Sequence, residues 1–368
     1  MIYLGRSRLQ RLRANLVQSL HTASAMSRCG VDVRMYLPQW PRRLDPARRL
    51  SELGVNEALN VVGSFWIHPR FGVGTFLRIH RRAVGRADLR YTRVVPWSIE
   101  MARRGLVNHV EVHNVQQIGD EGQMEPLVAH HRAGAIGMLI PISRSAARIL
   151  VEAGADADRV HVAPSGVDVG AYDGIARFDA DRLDHPRVVH IGQLSDERGR
   201  HVFERVIRQG VGEVTLIGAG TRDAADGLRD AVRMPPVPAK AVPGWYGRSD
   251  LVLIPYQPSI RTVATMSPMK LFEAMASGRP IIASDLATVR EIVEHERNAL
   301  LVDAEDSQAW IAAIERLRDD RDLARTIAEQ ARRDAEAYDW SRRAEGILDA
   351  IARQQGLAPV SATGCPRP

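Results

Sequence analysis

Short apolar segments alternate with amphipathic segments along the first half of the chain. Apolar residues recur every three or four positions from Leu9 to Ala23, which predicts a helix from Leu9 to Cys29 that ends at Gly30. Strands that alternate with helices indicate a parallel sheet covered on both faces. The predicted strands are Ile2–Leu4, Val31–Leu37, Leu59–Val62, Leu89–Val95, Val110–His113, Met138–Ile142 and Val160–Ala163.

The second half repeats this pattern after a polar stretch, Asp168 to Pro186, which we interpret as a domain linker. From Asp306 to Gln355 the chain is predicted to be helical. The pattern predicts an α/β fold of two Rossmann-like domains facing across a cleft, with ligands at the carboxyl ends of the strands. The predicted strands are Val188–Ile191, Val214–Ile217, Leu251–Ile254, Ile281–Ala283 and Leu300–Val302, and the helices between them begin near Arg200, Arg222, Ser267 and Ala287.

The segment from Ser267 to Pro280 contains sequence signals for both the start and the end of a short helix. Ser267 is a favourable N-cap, and Pro268 suits the first helical position because its missing N–H would be unpaired there anyway. Gly278 supplies the left-handed residue that ends the helix, and Pro280 prevents the helix from resuming. The apolar run Ile281–Ala283 follows, as expected of a buried parallel strand.

Two side chains of this predicted helix, Lys270 and Glu273, are three residues apart and share one face. Together with the unpaired N–H groups at the start of the helix, Lys270 forms a candidate anion site. Glu273 can accept hydrogen bonds from hydroxyl groups one turn further along. A ligand with phosphates next to a diol satisfies both features, and a nucleotide diphosphate is such a ligand.

The same segment resembles the donor-binding helix of retaining glycosyltransferases with the two-domain GT-B fold. The resemblance is to the large family four, the glycosyl transferases group 1, which includes mannosyl- and glucosyltransferases of bacterial envelope glycans. In that family the segment reads Glu-x7-Glu and ends in a Glu-Ala-Met-Ala-(small)-Gly-x-Pro block. Glu273 matches the second acid, which binds the donor ribose in the family, whereas the first acid falls on Thr265.

The resemblance also implies a division of the chain and a set of donor contacts. It implies an acceptor domain over residues 1–170, a donor domain over 171–345, and the end of a crossing helix with a disordered tail over 346–368. Arg198 stands at the place of a family Lys that holds the diphosphate, and Gln193 replaces a family Arg. His113 matches a family His that touches the donor sugar or its β-phosphate. The remaining donor-binding residues are Gly192, Gly218, Gly220, Ser267, Pro268 and Met269.

Charge is the feature of the composition that bears on partners. The net charge is +6, and arginine is concentrated in three segments of the first half. Such segments indicate a surface that meets anionic lipid or an anionic acceptor, or else ordinary solvated faces on which Arg replaces Lys. Nucleic acid is not expected as a partner, because no reading motif accompanies the arginines. The segments are Arg6 to Arg13, Arg42 to Arg49 and Arg70 to Arg93.

The segment from Phe65 to Arg93 also places Trp66, Phe71 and Phe76 among arginines. We expect it to choose the acceptor. A peripheral contact with an anionic membrane is a second interpretation of this segment, and an ordinary surface helix is the third.

Targeting and redox features favour the cytoplasm, with the inner face of the membrane as a peripheral location. No run approaches the roughly 18 apolar residues of a membrane span, and Met1–Gly5 predicts a strand rather than a signal peptide. Cys29 and Cys365 are far apart and lack neighbouring His or Cys residues, so neither a disulfide framework nor a zinc site is predicted.

The function that follows is a retaining, metal-independent transfer of a hexose from a GDP- or UDP-linked donor. Lys270, Arg198 and His113 are the predicted catalytic residues, and neither a cofactor nor a metal is expected. The acceptor is a hydroxyl group of a glycan, a lipid-linked sugar or a small molecule. Two alternatives stay open: a catalytically degenerate donor-binding or scaffold subunit, because Thr265 replaces an acid, and a GT-B nucleotide-sugar epimerase.

Overall fold

The computed structural model describes residues 1–11, 13–55, 59–67, 71–218 and 226–360, and these residues form an α/β fold in two compact units. The first unit contains Met1–Gly166, Thr265–Ser267 and the chain from Trp340 onward. The second unit contains Val167–Ala264 and Pro268–Asp339. The last helix of the chain therefore belongs to the first unit.

A six-stranded parallel sheet forms the centre of the first unit, and its strand order is β3-β2-β1-β4-β5-β6. This order reverses between β1 and β4, as it does in a doubly wound nucleotide-binding fold. The strands are β1 (Ile2–Leu4), β2 (Arg34–Pro38), β3 (Asn60–Ser64), β4 (Arg90–Thr92), β5 (Asn108–Val112) and β6 (Ile136–Pro141).

Helices cover both faces of this sheet, and several begin at a side-chain cap. Asn114 accepts from the Gln117 N–H at 3.0 Å, and Ser143 accepts from the Ala146 N–H at 3.1 Å. The helices are α1 (Ala14–Arg28), α2 (Pro46–Glu52), α3 (Gly72–Ile79), α4 (Arg81–Arg86), α5 (Val95–Arg103), α6 (Val115–Asp120), α7 (Met124–Arg132) and α8 (Arg144–Glu152).

Two three-stranded parallel sheets form the second unit, in the orders β7-β8-β9 and β10-β11-β12. A parallel bridge between Val188 and Leu251 joins β7 to the start of β10. The combined order is again that of a doubly wound fold, with its reversal between β7 and β10. The strands are β7 (Arg187–Ile191), β8 (Glu213–Ile217), β9 (Val232–Met234), β10 (Val252–Ile254), β11 (Ile281–Ser284) and β12 (Leu300–Val302).

The core of the second unit is packed between these sheets and the helices that follow their strands. Phe203 and Trp310 are its largest side chains and are fully buried against Leu216 and Leu253. The helices are α9 (Arg200–Gln209), α10 (Val242–Tyr246), α11 (Met269–Ala276), α12 (Ala287–Arg290), α13 (Ser307–Asp319) and α14 (Arg321–Ala335), and α15 (Trp340–Gln354) returns to the first unit.

Several sequence predictions differ from these elements. Helix α1 begins at Ala14 instead of Leu9, because a turn from Arg8 to Arg11 precedes it. The predicted strand Val160–Ala163 is reduced to one bridge between Val160 and Leu139. Strand β9 was not predicted, since it is a short edge strand whose Val232 is exposed. The predicted helix start near Arg222 lies outside the described residues.

The stretch predicted as a linker, Asp168 to Pro186, packs on the second unit instead of running free. Arg321 pairs with Asp181 and Asp184, both at 2.8 Å, and Arg332 pairs with Asp173 at 2.5 Å. Leu183 is buried in the core of that unit. These contacts explain why the second unit begins at Val167.

Two further observations concern the redox and membrane predictions. Cys29, which follows α1, is disulfide-bonded, so the prediction of no disulfide is wrong at this position, and Cys365 lies outside the described residues. Among the residues that the structure describes, no helix combines the length and the apolar content that a membrane crossing requires.

Candidate functional site

Two glycine turns lie side by side at the carboxyl ends of β7 and β8. Gly192 has φ +107° and donates its N–H to the Ile217 carbonyl at 2.7 Å. Gly218 has φ +75°, and a Cβ built on it would lie 3.7 Å from the Gly192 Cα. The two turns therefore present backbone without side chains, which lets a ligand approach closely. The third predicted glycine, Gly220, lies outside the described residues.

Another glycine, Gly199, fixes the turn that carries Arg198. Residues Asp196–Arg198 form one 3-10 turn, and Gly199 ends it with φ +72°. A Cβ on Gly199 would lie 2.3 Å from the Pro255 carbonyl oxygen, so no other residue fits there. The turn is thereby held against the end of β10, and the Arg198 side chain remains partly exposed.

The donor helix predicted from the sequence is α11, and its start differs from the prediction. The helix begins at Met269, and Pro268 is its cap residue, with an extended backbone and no side-chain capping bond in the described part of the chain. Ser267 is not the N-cap: its hydroxyl accepts the Ser165 N–H at 2.8 Å, and its carbonyl accepts the Ser165 hydroxyl at 2.9 Å. Gly278 ends the helix with φ +59°, as predicted.

The first turn of α11 carries Lys270 to the Gly192 turn. The Lys270 Cε and Nζ atoms lie 3.4 Å from the position that a Cβ of Gly192 would occupy. The Nζ atom also lies 3.3 Å from Nε2 of His190, a buried residue of β7. An ammonium group can only donate, so Nε2 of His190 is the accepting nitrogen whenever Lys270 is charged.

Neither charged residue of α11 is held in its ordinary charge state. Burial, followed by the nearby Arg198 cation, lowers the pKa of Lys270 to about 7 although Glu273 opposes the shift. Burial raises the pKa of Glu273 to about 7, although Lys270 and a hydrogen bond from Tyr246 oppose that shift. Burial, and then Lys270, also lowers the pKa of His190 well below its usual value, so its imidazole is neutral. A negatively charged ligand at the start of α11 would therefore favour the charged form of Lys270.

Buried tyrosines surround Glu273. The Tyr246 hydroxyl lies 3.5 Å from the Glu273 carboxylate, and the Tyr246 and Tyr172 rings are 6.3 Å apart. Burial raises the pKa of Tyr256 to about 12. These tyrosines remain neutral and leave Glu273 partly exposed, with oxygen atoms available to a ligand hydroxyl.

The first unit contains a different cluster, centred on Glu111 of β5, which is 1% exposed. The Glu111 carboxylate accepts the Tyr91 hydroxyl at 2.7 Å and pairs with the Arg343 guanidinium of α15 at 2.9 Å. It also contacts Nε2 of the predicted catalytic residue His113 at 2.6 Å. Burial opposes ionisation of Glu111, but Arg343 and His113 outweigh it and hold its pKa far below the usual range.

His113 is neutral in this environment. Burial, and then Arg93, lowers the pKa of His113 to about 4, although Glu111 acts in the opposite direction. The neutral ring donates through Nε2 to Glu111, so Nδ1 is left as an acceptor. His113 can therefore accept a hydrogen bond from a hydroxyl group.

Polar contacts connect this cluster to the segment Thr265–Ser267. The Gln18 amide lies 3.5 Å from the Glu111 carboxylate and 3.3 Å from the Ser165 hydroxyl. Ser165 makes the two bonds to Ser267 described above, and the Ser143 hydroxyl donates to the Thr265 carbonyl at 3.0 Å. Thr265, at the place of the family's first acid, is buried.

The structure thus brings together only part of the predicted site. Lys270, Gly192 and Gly218 meet at the ends of β7 and β8, with Arg198 close enough to influence Lys270. Gln193 is exposed, and its carbonyl lies 3.3 Å from Nε2 of His190. Ser267 and His113 belong to the first unit, whereas Pro268 and Met269 begin the second unit's α11.

Sequence reasoning missed three residues of these clusters, and two of them left a signal. His190 interrupts the apolar strand Val188–Ile191 at a position that is buried. Arg343 lies on the apolar stripe of α15 between Trp340 and Ile347, where a charge must be paired. Arg93, which donates to the Asn15 carbonyl at 2.8 Å, left no such signal. Within the described ranges, no three His, Cys, Asp or Glu side chains are grouped as metal ligands.

Residues 185–320 match the family model of the glycosyl transferases group 1. A D-inositol 3-phosphate glycosyltransferase from Xylanimonas cellulosilytica is 30% identical over 249 residues, which cover 60% of this chain and 58% of that protein. The amylovoran biosynthesis glycosyltransferase AmsK of Erwinia amylovora is 29% identical over 194 residues, covering 49% of this chain and 47% of AmsK. The chain spans less than two thirds of either relative.

A solved structure extends the likeness to nearly the whole chain. Anabaena Alr3699/HepE, in complex with UDP, superposes with a TM-score of 0.71 over 96% of this chain and 99% of that chain, at 17% identity. The same protein has been solved with UDP-glucose. At this identity the likeness concerns the fold, and it confirms the predicted α/β fold of the GT-B class.

Proposed function

We propose that this chain, whose residues 185–320 match the family model of the glycosyl transferases group 1, transfers a hexose from a nucleotide diphosphate sugar to a hydroxyl acceptor. The observation that carries the proposal is the placement of the Lys270 amine over the side-chain-free Gly192 turn, with Arg198 nearby. The complexes of Alr3699/HepE with UDP and UDP-glucose support a donor of this class.

The donor diphosphate is proposed to bind at the start of α11. The negative charge of the diphosphate would raise the pKa of Lys270 from about 7, so donor binding is coupled to full protonation of that amine. Arg198 can bind phosphate oxygens in a bidentate manner, and N–H groups at the start of a helix can also donate to an anion. Lys270, Arg198 and the helix N–H groups are therefore proposed to be the hydrogen-bond donors to the diphosphate.

The ribose is proposed to bind to Glu273. Its carboxylate is partly exposed and has only the long Tyr246 contact among the described residues, so two ribose hydroxyls can donate to it. Those bonds favour the ionised carboxylate and would lower its pKa from about 7. Glu273 therefore selects for a nucleotide rather than for a bare phosphate.

Chemistry is proposed to proceed with retention at the anomeric carbon. The bond from this carbon to the phosphate oxygen breaks, the bond to the acceptor oxygen forms on the same face, and the acceptor proton passes to the departing phosphate. Lys270 and Arg198 stabilise the charge that develops on the diphosphate, which is an electrostatic contribution that needs no nucleophile on the protein. With two cations in this role, we propose that no divalent metal is required.

His113 is proposed to accept a hydrogen bond from a sugar hydroxyl through Nδ1. Glu111 occupies the other ring nitrogen at 2.6 Å and so fixes the tautomer. A neutral acceptor is suited to a hydroxyl group and would not attract the diphosphate.

The alternative is a donor-binding subunit without turnover, and one observation favours it. Thr265 replaces an acid of the family pattern, is buried, and contributes its carbonyl to Ser143. A site that lacks this acid could bind the donor without transferring the sugar.

Titration calorimetry with UDP, GDP and their hexose conjugates tests the donor class, and proton NMR of the product tests retention. We expect one nucleotide series to bind, slow donor hydrolysis without acceptor, and an unchanged rate in EDTA. Binding without hydrolysis would identify the scaffold, and release of an epimeric sugar with free nucleotide would identify an epimerase. Absence of any nucleotide binding would reject the proposal.

A further inference from the structure

Three aromatic side chains of the first unit lie exposed and in mutual contact. Phe65, Trp66 and Phe71, which we call the aromatic cluster, are 60%, 36% and 43% exposed. The Phe65 ring lies 5.3 Å from both of the others, and the Trp66 and Phe71 rings are 6.0 Å apart. Single exposed apolar residues are ordinary, but contiguous ones mark a surface that binds something apolar.

The surface next to this cluster is cationic. Helices α3 and α4 follow Phe71 directly and expose Arg78, Arg81, Arg82 and Arg86. Within the described chain, no hydrogen bond or ion pair engages these four guanidinium groups. The sequence from 58 to 87 contains no Asp or Glu. Ile79, on the same helices, is 49% exposed.

A nearby arginine, Arg90, has a structural role and so provides a comparison for these four. Arg90 donates to the carbonyl groups of Val84 and Gly85 at 2.7 and 2.8 Å and thereby holds the end of α4. Among the residues that the structure describes, none makes such a bond with the four exposed arginines. Their charges are available to a partner.

We propose that the aromatic cluster and the four arginines dock the protein on an anionic lipid bilayer. Aromatic rings enter the boundary between headgroups and acyl chains, while arginines beside them bind lipid phosphates. A neutral sugar chain would explain the three rings but not the four arginines. An acidic protein would explain the arginines but not the three rings.

The position of the cluster adds a consequence, which rests on the proposed function. The cluster follows the carboxyl end of β3, and His113 follows the carboxyl end of β5 on the same edge of the sheet. Four strand spacings separate them, or about 19 Å. A bilayer held at β3 would therefore present a lipid-linked acceptor near His113.

Co-sedimentation of the full chain with vesicles tests docking. We expect binding to vesicles that contain phosphatidylglycerol, weaker binding as salt is raised, and no binding to pure phosphatidylcholine. The double variant Arg81→Ser/Arg82→Ser should bind about 25-fold more weakly, at about 5-fold for each arginine. The matched control Arg103→Ser/Arg132→Ser removes two exposed arginines elsewhere on the unit and should change binding little.

The aromatic contribution is tested separately. Phe65→Ser/Phe71→Ser should lower binding at least about tenfold, whereas Val107→Ser, another exposed apolar residue of this unit, should not. Equal loss in the control variants, or no vesicle binding by the unaltered protein, would overturn the proposal. So would binding of a soluble polysaccharide with no vesicle binding.

Donor hydrolysis separates this proposal from the proposed function. The docking variants should hydrolyse the nucleotide sugar at the unaltered rate and lose transfer to a vesicle-borne lipid acceptor. Vesicle binding without donor use would reject the transferase alone, and donor use without vesicle binding would reject docking alone.

Discussion

Glu111 in the first unit and the pair Lys270 and Glu273 in the second are ionisable groups with strongly shifted pKa values, and their charges are balanced differently. In the first unit, Glu111 is paired with Arg343 and receives a hydrogen bond from Tyr91, so its charge is held firmly. In the second unit, Lys270 and Glu273 have pKa values that both approach 7. Protein groups alone stabilise the charge of Glu111, whereas they do not fully stabilise the charges of Lys270 and Glu273.

The difference separates a structural role from a binding role. A buried charge with a full set of partners stabilises one arrangement, whereas groups whose pKa values are shifted towards the uncharged form are typical of a site that binds a ligand. Here an anion and a diol would supply what Lys270 and Glu273 lack. The comparison therefore makes predictions about stability in the first unit and about binding in the second.

The largest expected effect is on stability. Arg343→Met should lower the free energy of unfolding by about 3–5 kcal/mol, because it leaves Glu111 buried and unpaired. Urea denaturation followed by circular dichroism measures it. The matched variant Lys270→Met should cost little, since burial already disfavours that charge. Equal losses would remove the distinction between the clusters.

The second effect is on turnover. Lys270→Ala should lower kcat about 100-fold, because it removes a cation from the developing charge on the diphosphate, and should weaken donor binding less than that. Steady-state kinetics with a saturating donor measures it. Lys240→Ala removes the other lysine of the chain, which is exposed, and should leave kcat unchanged. An unchanged kcat in Lys270→Ala would contradict its assigned role.

The third effect is on nucleotide affinity. Glu273→Ala should weaken nucleotide diphosphate binding about tenfold or more, because the ribose loses bonds to a charged acceptor. Inorganic pyrophosphate, which has no ribose, should bind both forms alike. Glu291→Ala, at the end of α12, is the control and should change neither affinity in calorimetry. A parallel loss of pyrophosphate binding would show that Glu273 supports the helix rather than the ribose.

The smallest effect concerns pH. Phosphate binding needs charged Lys270, so affinity should fall by up to about tenfold per unit as pH rises above 7. Ribose binding needs ionised Glu273, so affinity should also fall below pH 7. His190→Phe removes the nitrogen that accepts from Lys270, and the alkaline decline should then begin at lower pH. Calorimetry across this range would contradict the assignment if the profile were flat in both proteins.

Much of the fold could be predicted because local pattern and long-range structure agree in it. Strands such as Ile281–Ser284 are nearly continuous apolar runs, and Gly278 adopts the left-handed conformation that ends a helix. The family was predicted from the segment around Glu273, and residues 185–320 match the model of that family. The start of α11 was misplaced by one residue because Ser165, distant in sequence, donates its N–H to the Ser267 hydroxyl that would have capped the helix.

The parts of the site that could not be predicted depend on tertiary contacts. The pairing of Arg343 with Glu111 joins the last helix to β5, and no local pattern specifies that partner. The proximity of His190 to Lys270 joins β7 to α11 in the same way. The sequence indicates that a buried polar side chain such as Arg343 needs a hydrogen-bonding or charged partner. The tertiary structure determines which residue is that partner.

The return of α15 to the first unit also sets an order of assembly. The Trp340 ring stacks on His21 at 5.4 Å, and Arg343 donates to the Pro164 carbonyl at 2.7 Å, so α1 and β5 lack their final cover until residue 354 has been synthesised. The part of the chain that leaves the ribosome first is therefore the last to be completed. A premature stop after residue 339 would leave the second unit with nearly all its elements and the first with an uncovered core.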